Sequence, residues 1–69
     1  MKLTLEEWRR AKKVSQEQMA DLVGVHVNTY RTWEENPGEI RLSKAAIIAE
    51  RLEITLDDIL FTRDTTKSN

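Results

Sequence analysis

The fold is decided by residues 16–35, which read QEQMADLVGVHVNTYRTWEE. Gly24 divides this stretch, because only glycine takes the left-handed conformation of a helix C-terminus without steric cost. Ala20 lies one turn earlier and lets a second helix cross closely, while the glycine permits the tight turn between them. We therefore predict two helices, at about 16–23 and about 27–35, on either side of a short turn.

The second of these helices has two unlike faces. Val25, Tyr30 and Trp33 are spaced to bury one side of it. The opposite side carries the candidate contact residues Val27, Asn28, Arg31 and Thr32. This is the layout of a helix-turn-helix, whose second helix enters the major groove of DNA.

Capping boxes mark helix starts elsewhere in the chain. The pairs Thr4–Glu7 and Ser15–Gln18 have the spacing in which two side chains satisfy each other's backbone N–H groups, and a shorter version begins at Thr55. Apolar residues at helical spacing then predict five short helices, at about 5–13, 16–23, 27–35, 42–52 and 56–61. Because no apolar alternation reaches strand length, we expect an all-α fold without a sheet.

The helical spacing also predicts the core. The expected inward-facing residues are Leu5, Trp8, Ala11, Met19, Ala20, Leu22, Val23, Tyr30, Trp33, Ala45, Ile48, Ala49, Leu52, Leu56, Ile59 and Leu60. Asn36-Pro37-Gly38 ends the third helix, since proline disfavours helix at the preceding residue. Arg41 stands where a capping residue is usual, which favours Ser43 as the cap of the fourth helix. We expect one domain over residues 1–61 and a disordered tail over 62–69, which has no apolar residue.

Composition excludes several function classes. The chain has 69 residues, no cysteine and one histidine, so it offers no disulfide framework, thiol nucleophile or histidine-based metal site. No apolar run has the length of a membrane span, and the N-terminus lacks a signal peptide, so we expect a cytoplasmic protein. Residues 1–33 carry six basic and four acidic residues, and residues 34–69 carry five and eight. This small tilt predicts weak non-specific affinity for DNA.

The chain resembles the Cro and phage-repressor type of helix-turn-helix protein, the XRE family. The resemblance extends over about residues 4–61 and lies in these stretches: Ser15-Gln16-Glu17-Gln18-Met19-Ala20, Gly24-Val25, Thr29-Tyr30, Trp33-Glu34, Ile48-Ala49-Glu50-Arg51-Leu52 and Ile54-Thr55-Leu56-Asp57-Asp58-Ile59-Leu60. It implies a lambda-repressor-like DNA-binding domain. The chain departs from the family where it has His26 instead of serine and Lys13 instead of glycine.

The resemblance also assigns roles to residues. It implies base contacts by Val27, Asn28, Arg31 and Thr32, with Asn28 suited to adenine. It implies a phosphate contact by Gln16 at the start of the second helix, and we assign further phosphate contacts to His26, Thr29, Arg41, Ser43 and Lys44. Arg9 and Glu34 match a pair that ties the first helix to the third in such repressors. His26 has two further interpretations, as the cap of the third helix or as a plain surface residue.

These observations predict a sequence-specific DNA-binding regulator, a repressor that binds a palindromic operator as a homodimer. Ile47 is left over from the core face of the fourth helix, and Phe61 is expected at the exposed end of the fifth, so both are assigned to the dimer interface. The alternative is a protein-interaction module on the same scaffold, of the antitoxin or anti-repressor type. We expect no catalysis, no cofactor and no metal.

Overall fold

The structure, a computed structural model, describes residues 2–61. In this part of the chain the elements follow in the order β1 (Leu3–Thr4), α1 (Leu5–Ala11), α2 (Gln16–Val23), α3 (Val27–Glu35), α4 (Leu42–Leu52) and β2 (Ile59–Leu60). Two 3₁₀ turns, Pro37–Glu39 and Leu56–Asp58, join them. The helical class is confirmed, and α2, α3 and α4 have the predicted bounds. The tail expected over 62–69 lies outside the described residues.

The predictions of a fifth helix at 56–61 and of a fold without a sheet are wrong. The chain makes a single 3₁₀ turn and then enters β2, which pairs in parallel with β1. In this pairing Leu3 lies opposite Ile59, and Thr4 lies opposite Leu60. The two ends of the described chain are therefore joined by a short sheet, and only four α-helices are present in residues 2–61.

The Trp8 side chain contacts the backbone at the point where the second 3₁₀ turn ends. Its indole Nε1–H donates to the Asp58 carbonyl oxygen at 2.7 Å. Ile59 follows in an extended conformation and is 3% exposed, so the β-branched side chain is buried from a strand instead of a helix.

Three helices end in the same way. Lys13, Gly24 and Glu53 adopt left-handed backbone conformations with φ of 61°, 79° and 61° after α1, α2 and α4. The next residue in each case donates its N–H to a carbonyl five positions back, which completes a Schellman motif. These next residues, Val14, Val25 and Ile54, all pack against the core. The predicted end of the first helix at residue 13 is therefore wrong by two residues, because Lys13 has already left the helix.

The N-terminal caps predicted for α1 and α2 are present, and the one predicted for α4 is not. Thr4 and Glu7 exchange hydrogen bonds of 2.8 and 3.1 Å, and Ser15 and Gln18 exchange bonds of 2.8 and 3.0 Å, so both capping boxes are confirmed. The cap expected at Ser43 is wrong. The N-cap of α4 is Arg41, which makes no side-chain capping bond.

The core lies between the four helices and β2. Its buried apolar residues are Leu5, Met19, Ala20, Val23, Tyr30, Trp33, Ala45, Ile48, Ala49, Leu52 and Ile59. Ala11 and Leu22 were expected to face inward and are exposed, Leu22 by 41%. Ala11 lies about 200° around α1 from the buried Arg9, and Leu22 about 100° around α2 from Val23, so neither shares the buried face. Trp8, Leu56 and Leu60 are half-buried.

The left-handed lysine after α1 yields a stability prediction. We expect Lys13→Gly to raise the free energy of unfolding by about 0.5–1 kcal/mol, because glycine adopts positive φ without the steric penalty of a side chain. The matched control is Lys12→Gly. Lys12 has φ of -88°, so there glycine only adds chain entropy and should lower stability by a similar amount. Urea denaturation measures both changes, and a loss of stability in Lys13→Gly would contradict the prediction.

Candidate nucleic-acid interface

Helices α2 and α3 form a tight two-helix unit. Gly24 and Val25 both donate backbone N–H groups to the Ala20 carbonyl, at 2.8 and 2.9 Å, and so close the turn between the helices. Tyr30 and Trp33 anchor the inner side of α3 in the core, with ring centroids 6.1 Å apart in an edge-to-face arrangement. The orientation of α3 is therefore fixed by large buried rings, which leaves its opposite face for contacts.

The outer face of α3 carries most of the residues assigned to base contact. Asn28, Arg31 and Thr32 are exposed, as expected from helical spacing. Val27 is half-buried and packs against the core, so only part of its side chain lies on this face. The Thr32 hydroxyl donates to the Asn28 carbonyl at 3.0 Å, which fixes the hydroxyl group close to the helix backbone.

Arg31 is held in place by two neighbours. Its Nε donates to Gln16 Oε1 at 3.2 Å, and its Nη1 donates to Asn28 Oδ1 at 3.0 Å. The Gln16 amide also donates to Glu34 Oε1 at 2.8 Å. The structure thus brings three of the predicted contact residues, Gln16, Asn28 and Arg31, into one hydrogen-bonded group at the α2–α3 surface.

The predicted pair of Arg9 and Glu34 is present at the base of this group. Arg9 Nε lies 2.6 Å from Glu34 Oε2, and the two side chains are 11% and 5% exposed. Arg9 Nη1 also donates to the Val14 carbonyl just after α1, at 2.9 Å. We call the set Arg9, Glu34, Gln16, Arg31 and Asn28 the polar network.

The Glu34 carboxylate is ionised in this setting. Burial alone acts to raise the pKa of Glu34, but hydrogen bonds from Arg9 and Gln16 outweigh it, and the pKa lies below its usual value. The hydrogen bond from the Arg9 side chain to Glu34 has a counterpart in a raised pKa of Arg9. Beside this pair, burial raises the pKa of the Tyr30 hydroxyl, so it stays neutral at physiological pH.

His26 begins α3 and acts as its cap, one of the roles considered for it. Its Nδ1 accepts the Asn28 backbone N–H at 3.1 Å. Because Nδ1 accepts, the neutral ring carries its proton on Nε2, and that N–H can donate to a phosphate.

The remaining candidate phosphate contacts are spread over two helices. Thr29, Arg41 and Ser43 are exposed, and Lys44 is half-buried. Thr29 lies in the first turn of α3, whereas the other three surround the start of α4. These residues therefore belong to two different elements, the start of α3 and the start of α4.

The two residues assigned to a dimer interface differ from expectation. Ile47 was expected to point away from the core but is half-buried and packs against it, because its position on α4 borders the buried face. Phe61 was expected at the end of a fifth helix and instead follows β2, where it is half-buried. It lines a shallow apolar cleft of about 150 Å³ together with Pro37, Gly38, Ile40, Leu42 and Ala45.

The sequence interpretation missed two features of this surface. The first is the hydrogen bond from Gln16 to Glu34 and its continuation to Arg31. The bonds of Gln16 join residues on different helices, and the sequence gives no signal for them. Only the spacing of Asn28 and Arg31 on one helix indicated that two members of the group could meet. The second is Leu42, which is 71% exposed beside Phe61. The sequence analysis did not single out Leu42, because this residue lies at the start of α4 and does not belong to the periodic apolar face of that helix.

Comparison with known proteins identifies the architecture. A family model described as helix-turn-helix matches residues 5–59. No curated protein and no solved structure matches the chain significantly. In residues 2–61, no helix has the length and apolar character needed to cross a bilayer, and no three acidic or histidine side chains group as a metal site requires.

The buried ion pair yields a second stability prediction. We expect Arg9→Met to lower the free energy of unfolding by about 3 kcal/mol, because it leaves the Glu34 carboxylate buried without its cation. Arg10→Met is the matched control. Arg10 pairs with Glu6 at 2.8 Å, but those side chains are 71% and 45% exposed, so its loss should cost under about 0.5 kcal/mol. Equal losses in urea denaturation would contradict a structural role for the buried pair.

Proposed function

This chain belongs to the Cro/C1-type helix-turn-helix family, also called the XRE family, and from that premise we propose that it is a repressor that binds a palindromic operator as a homodimer. The family is one of DNA-binding regulators. Blocking of transcription by occupancy of the operator needs no catalysis or cofactor, and we propose neither for this protein. The site of action is then the compartment that holds the DNA, which we take to be the cytoplasm.

The observation that carries this proposal is the outer face of α3. Asn28, Arg31 and Thr32 are exposed there, on a helix whose other side is locked by Tyr30 and Trp33. In helix-turn-helix proteins this helix lies in the major groove. We assign base contacts to these three residues and a thymine-methyl contact to the exposed part of Val27.

We assign phosphate contacts to residues on both sides of α3. One hydrogen of the Gln16 amide is given to Glu34, which leaves the other for a phosphate oxygen. We place a further phosphate contact at the start of α4, because no side-chain cap there competes for the backbone N–H groups. The proposed phosphate contacts are Gln16, His26, Thr29, Arg41, Ser43 and Lys44.

The homodimer is proposed to form through the apolar cleft beside α4. Leu42 and Phe61 contribute the apolar surface there, and we also assign Ile47, at the edge of the core, to this interface. In the isolated chain Leu42 is 71% exposed to water, whereas a second copy of the same apolar cleft would bury it against apolar groups.

The two exposed leucines of the chain make a matched test of this interface. We expect Leu42→Asp to raise the dimer dissociation constant about tenfold or more in sedimentation equilibrium, because it places a charge in an apolar contact. The matched control is Leu22→Asp on α2. Leu22 is 41% exposed and lies far along the chain from the cleft, so this change should leave the dimer dissociation constant unchanged. Equal dissociation constants for the two variants would contradict the assignment of the cleft as the dimer interface.

A second candidate function is a protein-interaction module on this scaffold. It is favoured by Leu22, which is exposed beside a cleft of about 380 Å³ lined also by Lys13, Val14, Gln18 and Asp21. Such a surface can hold an apolar side chain of a protein partner. The two functions differ in whether the isolated chain selects a DNA sequence.

Selection from random duplex DNA distinguishes the DNA-binding repressor from the protein-interaction module. We expect the immobilised protein at about 100 mM salt to enrich a palindrome with half-sites about 10 base pairs apart, since a two-fold dimer places its two α3 helices one helical turn apart. Affinity should fall only modestly with added salt, because few phosphates are neutralised per subunit. Absence of enrichment, also at lower salt, would favour the protein-interaction module.

A further inference from the structure

Within the polar network, Gln16 lies between a buried charge and the outer face of α3. Its Nε2 donates to Glu34 Oε1 at 2.8 Å, and its Oε1 accepts from Arg31 Nε at 3.2 Å. An ionised carboxylate can only accept and a guanidinium can only donate, so the Gln16 amide has one favourable orientation between them. A residue of α2 thus joins the Glu34 side chain, which is 5% exposed, to an exposed arginine of α3.

Two hydrogen bonds hold Arg31 in the free protein. Besides the bond to Gln16, Arg31 Nη1 donates to Asn28 Oδ1 at 3.0 Å. A free arginine side chain has a rotamer entropy that one hydrogen bond between exposed groups does not offset, whereas two such bonds together can. The Gln16 amide is anchored in turn by the buried Glu34 carboxylate, whereas the Asn28 side chain is exposed. Loss of the Gln16 amide should therefore release Arg31 into several conformers.

Arg31 can be held in this way and still contact DNA. The two bonds use Nε–H and one N–H of Nη1, and the guanidinium has further N–H donors. A long side chain that is ordered only on binding costs affinity, and one that is already held avoids part of this cost. The benefit applies only at DNA sites where Arg31 makes its base contact, so it increases the difference in affinity between base pairs at that position.

We propose that Gln16 is a positioning residue for Arg31, which holds the arginine on the outer face of α3 before DNA binds and so increases discrimination between base pairs. This role rests on the proposed DNA-binding function and adds to the phosphate contact assigned to Gln16. The two roles are compatible, because Glu34 uses one amide hydrogen of Gln16 and a phosphate would use the other.

The two roles of Gln16 predict different binding behaviour. Loss of a phosphate contact weakens binding about equally at all sequences and makes the salt dependence shallower. Loss of a positioning residue weakens binding mainly at sequences where Arg31 makes its base contact. It therefore narrows the difference in affinity between the preferred base pair and the others.

The first measurement is made on the free protein by NMR. We expect the heteronuclear NOE of Arg31 Nε–H to be high in the wild type and to fall in Gln16→Met towards that of Arg51, an exposed arginine on α4. The matched control is Gln18→Met. Gln18 is also in the first turn of α2, but its Oε1 accepts from the Ser15 backbone N–H, so this variant should leave the Arg31 NOE unchanged. Circular dichroism confirms that the variants are folded.

The second measurement is base preference on DNA. Duplex selection with the wild type gives a site, and fluorescence anisotropy then measures affinity for that site and for its single base-pair changes. At the position that Arg31→Met alters most, we expect Gln16→Met to lower the wild-type preference about threefold to tenfold, because Arg31 must then be ordered on binding. In an Arg31→Met background, Gln16→Met should change this preference by less than about twofold, since the residue that it positions is gone.

Three results overturn the inference while the DNA-binding function stands. One is an Arg31 NOE that Gln16→Met leaves unchanged. Another is an equal loss of affinity in Gln16→Met at all base-pair changes, which is the behaviour of a phosphate contact alone. The third is a selected site at which Arg31→Met alters no base preference. If the wild type enriches no duplex at all, the proposed function itself fails, and the role of Gln16 in base discrimination fails with it whatever the NOE.

Discussion

The fold depends on one buried carboxylate. Glu34 Oε2 accepts from Arg9 Nε at 2.6 Å, and Oε1 accepts from Gln16 Nε2 at 2.8 Å, so a side chain of α3 is joined to both α1 and α2. Arg9 extends the connection to the Val14 carbonyl, where α1 gives way to the turn before α2. Because the folded pKa of Glu34 is lowered, its contribution to stability is present above the usual glutamate pKa and is lost as the pH falls through the folded value.

A buried ion pair is an expensive way to join three helices, since both charges lose their hydration. In this chain it also sets the geometry of the contact surface. The hydrogen bonds that compensate the carboxylate run outward through Gln16 to Arg31, so the orientation of exposed donors follows from a buried charge. An apolar replacement of Arg9 and Glu34 could match the packing, but it would remove the acceptor that holds the Gln16 NH₂ group.

The sequence predicted the parts of the fold that depend on neighbouring residues. The bounds of α2 and α3 follow from Ser15, Gly24 and Pro37, whose effects are local. The parallel pairing of Leu3 with Ile59 is not local, because most of the chain lies between these two residues. Each of the two paired strands is also only two residues long. The bond from Trp8 to Asp58 also joins residues far apart in sequence, so the local capping pattern at Thr55 gave no sign of the strand that follows.

The contact surface, too, was only partly predictable from the sequence. Helical spacing alone identifies Asn28, Arg31 and Thr32 as the outer face of α3, but not which of their atoms point outward, because that depends on Gln16 from another helix. This matters for a protein with net charge -1, whose attraction to the phosphate backbone is small. Under the proposed function, discrimination between DNA sites would come mainly from base contacts, and side chains held in place before binding avoid part of the entropy cost of ordering them in the groove. Under the proposed function, a carboxylate that touches no base thus helps to hold the side chains that face the groove.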